Sequence, residues 1–265
     1  MALLVALILG IIQGLTEFLP VSSSGHLELA KWILQDDSIA KESMLMTVTV
    51  HAATALATIA VFRKDVGQIL RDVFSLKWTA HSRLAALIVL SMIPAAVVGL
   101  FFEEQLDLLF DRQITLVCIM LIITGLLLFL ADRAKTTDKA VNWWDSLLIG
   151  IAQAVAILPG ISRSGATIST SVLLGVDRDQ AARFSFLMVV PLILAKMAKE
   201  LIDGDFSSVS APSELVVAFI AAFVTGVLAC LWMIRLVHKA KLRYFAYYCF
   251  GVAILALSYR YLFVQ

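Results

Sequence analysis

The sequence predicts an all-α integral membrane protein built as an inverted-topology repeat, each half one re-entrant helix-loop-helix plus three transmembrane helices. Three observations predict it. The 265 residues are 61% hydrophobic and 15% charged, with a mean hydropathy of +0.93, against the roughly 45–50% apolar content of a soluble domain. Residues 10–26, GIIQGLTEFLPVSSSGH, recur in outline as residues 150–166, GIAQAVAILPGISRSGA. Successive connections between apolar segments switch between basic and acidic composition, which is the signature of alternating sides of a bilayer.

In chain order, residues 2–34 are apolar but broken between Pro20 and Gly25. Each arm is short of the about 20 helical residues that a hydrocarbon core demands. A helix-loop-helix that enters and leaves by one face is therefore expected, with a kinked full span as the alternative. Segments 44–62, 84–102 and 113–131 follow as spans. Residues 146–175 repeat the broken pattern between Pro159 and Gly165, and 184–201, 215–237 and 244–263 supply three more spans. The expectation is one membrane domain over 1–265, with repeat halves 1–135 and 140–265. No Lys or Arg precedes Lys31, so the first apolar run lacks the basic start of a signal peptide and reads as mature structure. Cys118, Cys230 and Cys249 lie in apolar segments without metal-ligand spacing and read as packed thiols. Trp143, Trp144, Tyr244, Tyr259 and Tyr261 fall at span ends, where aromatic belts form.

Charge sets the orientation. The connections 63–83 (Arg63, Lys64, Arg71, Lys77, Arg83), 132–145 (Arg133, Lys135, Lys139) and 235–243 (Arg235, Lys239, Lys241, Arg243) are basic and expected in the cytoplasm. The connections 103–112 (Glu103, Glu104, Asp107, Asp111, with Arg112 opposing) and 202–214 (Asp203, Asp205, Glu214) are acidic and expected outside. The first broken segment then dips from outside and the second from inside, so the halves share a plan with opposite orientation. Such folds place their site near the midplane, between the broken helices. The net charge of +1 gives no footprint for nucleic acid.

The two breaks carry the polar chemistry. Ser22, Ser24 and Gly25 match Ser162, Ser164 and Gly165, and Gln13 matches Gln153. Serines ahead of a helix are natural N-caps. A helix N-terminus also offers free N–H groups and partial positive charge to a phosphate, and Gly25 admits a bulky anion to the backbone. Arg163 lies inside an apolar region, where an unpaired guanidinium costs several kcal/mol. It either pairs with Glu17 or forks onto a phosphate, flanked by the hydroxyls of Ser162, Ser164 and Thr167. Gln13 and Glu17 are four apart and share a helix face. A carboxylate and an amide there hold a divalent cation only with help from phosphate oxygens and water; otherwise Glu17 orients His26 or accepts a proton. His26 adjoins serines and an acid, and either attacks phosphorus or takes the proton of Ser23 as general base. His51 either lines the cavity or bonds within the bundle.

QGLTEFLPVSSSGH and LPGISRSGATIS resemble the two signature motifs of the undecaprenyl-diphosphatase family, also called the bacitracin-resistance protein family, and similarity extends through SMIPAAVVGL and FSFLMVVP. The resemblance implies a phosphatase that removes the terminal phosphate of a C55 polyprenyl diphosphate and returns the carrier to cell-envelope synthesis. It also implies a multi-pass protein of the plasma (inner) membrane, a site opening to the outer or periplasmic face, and stimulation by a divalent cation such as Mg²⁺. By position it assigns Gln13 and Glu17 to the acidic motif, where the family often has glutamate in place of Gln13. It assigns Ser22, Ser23, Gly25 and His26 to the Ser/Gly/His motif, with Ser24 for a common threonine. The arginine motif falls on Ser162, Arg163, Ser164 and Thr167.

Residues and resemblance converge on one mechanism. Arg163, Ser22, Ser24, Gly25, Ser162, Ser164, Gly165 and Thr167 hold the phosphoryl group. Glu17 and Gln13 bear on a cation, and His26 or Ser23 supplies the nucleophile. The expected partners are a polyprenyl diphosphate and the bilayer; a homodimer is compatible with this reading. The rival is a secondary transporter or flippase of a phosphorylated lipid, since broken helices in inverted repeats are common there. The phosphatidic-acid phosphatase pattern is disfavoured, because the next histidine after Arg163 is His238.

Overall fold

The computed structural model describes residues 2–34, 44–102, 113–203 and 212–263. The connections 103–112 and 204–211 lie outside the described residues, and with them Glu103, Glu104, Asp107, Asp111, Arg112 and Asp205. Among the described residues the chain is helical throughout: α1 (Ala2–Phe18), α2 (Ser23–Leu34), α3 (Met44–Val61), α4 (Arg63–Phe74), α5 (Ala80–Phe101), α6 (Ile114–Asp132), α7 (Trp143–Val155), α8 (Arg163–Leu173), α9 (Arg178–Asp203), α10 (Pro212–His238) and α11 (Arg243–Phe263).

Four of these helices, α5, α6, α10 and α11, are long and apolar enough to cross a membrane, and α1 and α3 are shorter apolar helices. Their outward faces carry Leu228, Ile254 and Leu255, each at least 60% exposed. In water such faces are costly; in hydrocarbon they are the matching surface. This is a multi-pass membrane bundle. The expected span at 184–201 lies within α9, and that at 44–62 is α3. The 63–83 connection holds a further helix, α4, which buries none of its residues. Both broken segments appear as expected: α1 stops at Phe18 and α2 starts at Ser23, while α7 stops at Val155 and α8 starts at Arg163. At 1.5 Å per residue the 11 residues of α8 reach only about half of a hydrocarbon core.

The chain divides into two compact units. One comprises residues 1–19, 37–85 and 186–233. Its core is small and close-packed: Ala6, Met46, Val50, Ala53, Ala218 and Ala222, with Leu215, Phe219 and Phe223 against them. Small residues let helix backbones approach where no hydrophobic force drives association; a Cβ on Gly10 would overlap the carbonyl of Ala218. Phe186 packs on Phe18 at 5.8 Å and on Phe62 at 6.2 Å between ring centroids. An apolar groove of about 380 Å³ runs along α1 and α10, lined by Leu7, Ile11, Val217, Ile220 and Val224 among others.

The other unit comprises residues 20–36, 86–185 and 234–265. Helix α6 is its axis, touching α2, α8 and α11, while α8 also packs on α7. Val117, Cys118, Leu121 and Leu128 on α6 are fully buried. Asn142 starts α7 with a reciprocal capping box to Asp145, which satisfies two otherwise orphaned backbone donors. Buried Arg178 donates through Nη2 to the carbonyls of Ala131, Asp132 and Ala134 at 3.1, 3.2 and 2.9 Å. A cation at the carbonyl end of α6 is the favourable sign for its dipole.

Candidate active site

The first break is organised by Ser22. Its φ is +66°, a left-handed conformation uncommon for a residue with a side chain. That turn directs Oγ back to accept the N–H of Gly25 at 3.2 Å, capping α2. The Ser22 carbonyl accepts twice from His26, from the backbone N–H at 3.1 Å and from ring Nδ1 at 2.8 Å. Because a carbonyl only accepts, Nδ1 is a donor here, and the neutral tautomer compatible with this contact keeps its lone pair on Nε2. Nε2 lies 2.9 Å from the hydroxyl of Tyr248. Ser22 is buried, and Ser23, Ser24 and His26 are half-buried.

The second break uses the same device. Ser162 Oγ accepts the N–H of Gly165 at 3.1 Å and caps α8. Ser162 and Ser164 share a hydroxyl contact at 3.3 Å, as Ser22 and Ser24 do at 3.4 Å. Gly160 sits at φ +97°, and a Cβ there would run into the Val117 carbonyl, so both conformation and space require glycine. Thr124 of α6 braces the turn: its hydroxyl donates to Gly160 O at 3.2 Å and accepts from the Ser162 N–H at 3.1 Å.

The two breaks touch. A Cβ on Gly25 would stand 2.9 Å from Gly160 Cα, and one on Gly165 would stand 3.3 Å from Pro20 Cβ. Gly25 and Gly165 are repeat mates, and so are Pro20 and Gly160. The two contacts are thus the same contact read in opposite directions. Two helix N-termini are held together here, each with partial positive charge. Arg163, half-buried, adds a full charge in the first turn of α8. Like charges so arranged favour an anion among them.

The structure therefore brings together the Ser22–Ser24–Gly25–His26 and Ser162–Arg163–Ser164–Gly165 sets. Thr167 sits one turn into α8, 99% buried, and its hydroxyl donates back to Arg163 O at 2.9 Å. Gln13 and Glu17 belong to the other unit, where Gln13 Nε2 donates to Glu17 Oε2 at 3.1 Å. Among the described residues no group of three or more His, Cys, Asp and Glu is placed to hold a metal. The donor set of Gln13 and Glu17, one amide oxygen and one carboxylate, suits a hard cation whose remaining ligands are phosphate and water oxygens, and falls short of an all-protein cage.

Two residues of this site escape a reading by motif. Tyr248 lies 222 positions from His26, and Thr124 lies 38 from Ser162. Neither stands in a recognisable pattern; only the packing of α11 and α6 on the breaks reveals them.

A family profile described as bacitracin resistance protein BacA matches residues 6–255. The chain is 58% identical over 257 residues to an undecaprenyl-diphosphatase of Christiangramia forsetii, covering 97% of each chain. It is 44% identical over 261 residues to an undecaprenyl-diphosphatase of Bacteroides fragilis, covering 95% of this chain and 96% of the other. An undecaprenyl-diphosphatase of Korarchaeum cryptofilum is 38% identical over 263 residues, with 95% and 98% covered.

Proposed function

The chain belongs to the bacitracin resistance protein BacA family, and from that premise we propose how its geometry performs the hydrolysis of undecaprenyl diphosphate to the monophosphate and inorganic phosphate. The observation that carries the mechanism is the contact of two capped helix N-termini, Gly25 against Gly160 and Gly165 against Pro20, with His26 in the first turn of α2 and Arg163 in the first turn of α8.

The terminal phosphate sits where the two breaks meet. Arg163 and the hydroxyls and amides around Ser22, Ser24, Gly25, Ser162, Ser164 and Gly165 stabilise charge on the transferring phosphoryl group; Thr167 holds the first turn of α8. His26 Nε2 supplies the reacting lone pair, toward phosphorus or toward the proton of Ser23; both routes use the same nitrogen. The bridging oxygen leaves with the polyprenyl monophosphate, and water completes the release of inorganic phosphate. Glu17 and Gln13 lie a few residues before the first break in sequence and would hold a divalent cation, probed first as Mg²⁺, together with the diphosphate. When bound, that cation neutralises diphosphate charge.

The isoprenoid tail lies between apolar spans, the surroundings that a hydrocarbon chain matches. The fold reading that goes with this is the inverted-topology repeat, halves 1–135 and 140–265, with the broken helices re-entrant from opposite leaflets and the site opening to the outer face. The matched contacts of the breaks and the matched serine caps support the repeat, and the basic and acidic connections support the orientation.

The test is phosphate release from C15 to C55 polyprenyl diphosphates by purified protein in detergent, with and without chelator. Release without a membrane gradient separates hydrolysis from transport. H26A and R163A are each expected to lose at least about 10²–10³ in rate. Wild-type rates from both would sink the mechanism.

A further inference from the structure

We propose that Tyr248 is the positioning residue of His26, holding its imidazole in one tautomer and covering the Nε2 lone pair until a phosphoryl group displaces the phenol. The inference rests on the reading of His26 as the reacting imidazole and extends it to a residue outside both motifs.

The Ser22 carbonyl at 2.8 Å fixes the proton on Nδ1, so Nε2 of the neutral ring accepts, and the Tyr248 hydroxyl 2.9 Å away is the donor. The rings are also stacked, 12° from parallel with centroids 5.5 Å apart. One ring is thus held at both nitrogens and on one face. The adjacent residue of α11 reaches the same break, Cys249 Sγ donating to Pro20 O at 3.8 Å. Two successive side chains of α11 therefore anchor the loop, one by its backbone and one by its imidazole. Tyr248 is 47% exposed, which leaves the phenol room to swing aside. The consequence is chemical. Nε2 is the nitrogen the mechanism uses, and it is occupied by a neutral donor that fixes its direction and that an incoming phosphoryl oxygen can replace.

Y248F keeps the stacked ring and removes only the donor. It is expected to lower kcat by about tenfold, the order of one hydrogen bond, and to leave KM for the polyprenyl diphosphate within about twofold. With the lone pair uncovered, carbethoxylation of His26 by diethyl pyrocarbonate, followed on the His26 peptide by mass spectrometry, becomes several-fold faster than in wild type. Y248L removes ring and hydroxyl together. A packing role alone makes Y248L deficient and Y248F normal in kcat and in modification rate, and that result overturns the proposal. So does a raised KM with unchanged kcat in Y248F, which would make the phenol a substrate contact. H26A at wild-type rate would instead defeat the functional reading, while the modification rates, which need no turnover, still decide the Tyr248 contact.

Discussion

Ser22 combines two demands that seldom coincide. Its φ of +66° suits glycine, yet its Oγ caps Gly25 and its carbonyl fixes the tautomer of His26. Loss of such a cap costs about 0.5–2 kcal/mol on replacement by alanine and only a few tenths on replacement by glycine. Glycine also pays nothing for the left-handed turn. S22G is therefore expected to keep a thermal unfolding midpoint in detergent closer to wild type than S22A does. The reverse order would show that the turn geometry of Ser22 is not a source of strain. At this scale the sequence was highly legible where residues are close along the chain. The serine caps and the glycines at the two helix starts follow from local rules. Tyr248 and Thr124 were illegible, because a contact across 222 positions is set by packing of whole helices, and a tyrosine in an apolar span reads like any membrane aromatic.

At the scale of elements, the breaks are what distinguish α1–α2 and α7–α8 from spans, and Gly160 is the residue the second break cannot give up. G160A meets both a positive φ of +97° and the Val117 carbonyl. A loss of about 1–3 kcal/mol is expected in denaturant unfolding, and its absence would mean the turn relaxes freely. The breaks were readable from Pro, Ser and Gly inside apolar runs. Helix α4 was not, since a polar stretch rich in Arg and Lys reads equally well as an irregular connection until packing and hydrogen bonds are known. Its C-terminal end is tied to the start of α5: Thr79 Oγ1 donates to Asp72 Oδ2 at 2.6 Å and accepts from the His81 N–H at 3.2 Å. The Thr79 hydroxyl, and then His81, hold the Asp72 carboxyl below its usual value of 3.8 despite the opposing effect of burial. A depressed folded-state pKa contributes stability above the unfolded value, and that contribution is lost as pH falls through the folded one. Amide protection at His81 and Ser82 is thus expected to hold above pH 3.8 and to decline below it, after correction for intrinsic exchange. D72N should show the reduced protection already at neutral pH. Equal protection in D72N would detach the turn from this carboxylate.

For the whole molecule, composition and charge pattern announced a multi-pass helical protein, because hydrocarbon imposes its requirements on every span at once. The opposed orientation of the two halves is a stronger statement, and labelling tests it. A single cysteine replacing Lys239, in the connection of the second half that corresponds to 103–112, in a cysteine-free background should react with a membrane-impermeant maleimide only when the cytoplasmic face is opened. One replacing Glu104 should react from outside. Labelling of both from the same side would remove the inverted arrangement.

His26 and Arg163 acting upon one phosphate at the meeting of the two breaks is the central element of the proposed mechanism. The direct measurement is kcat/KM for a polyprenyl diphosphate in H26A, R163A and the double variant. Groups serving a single transition state are strongly non-additive, so the double variant should fall no more than about tenfold below the worse single one. Losses that simply multiply would contradict a shared site.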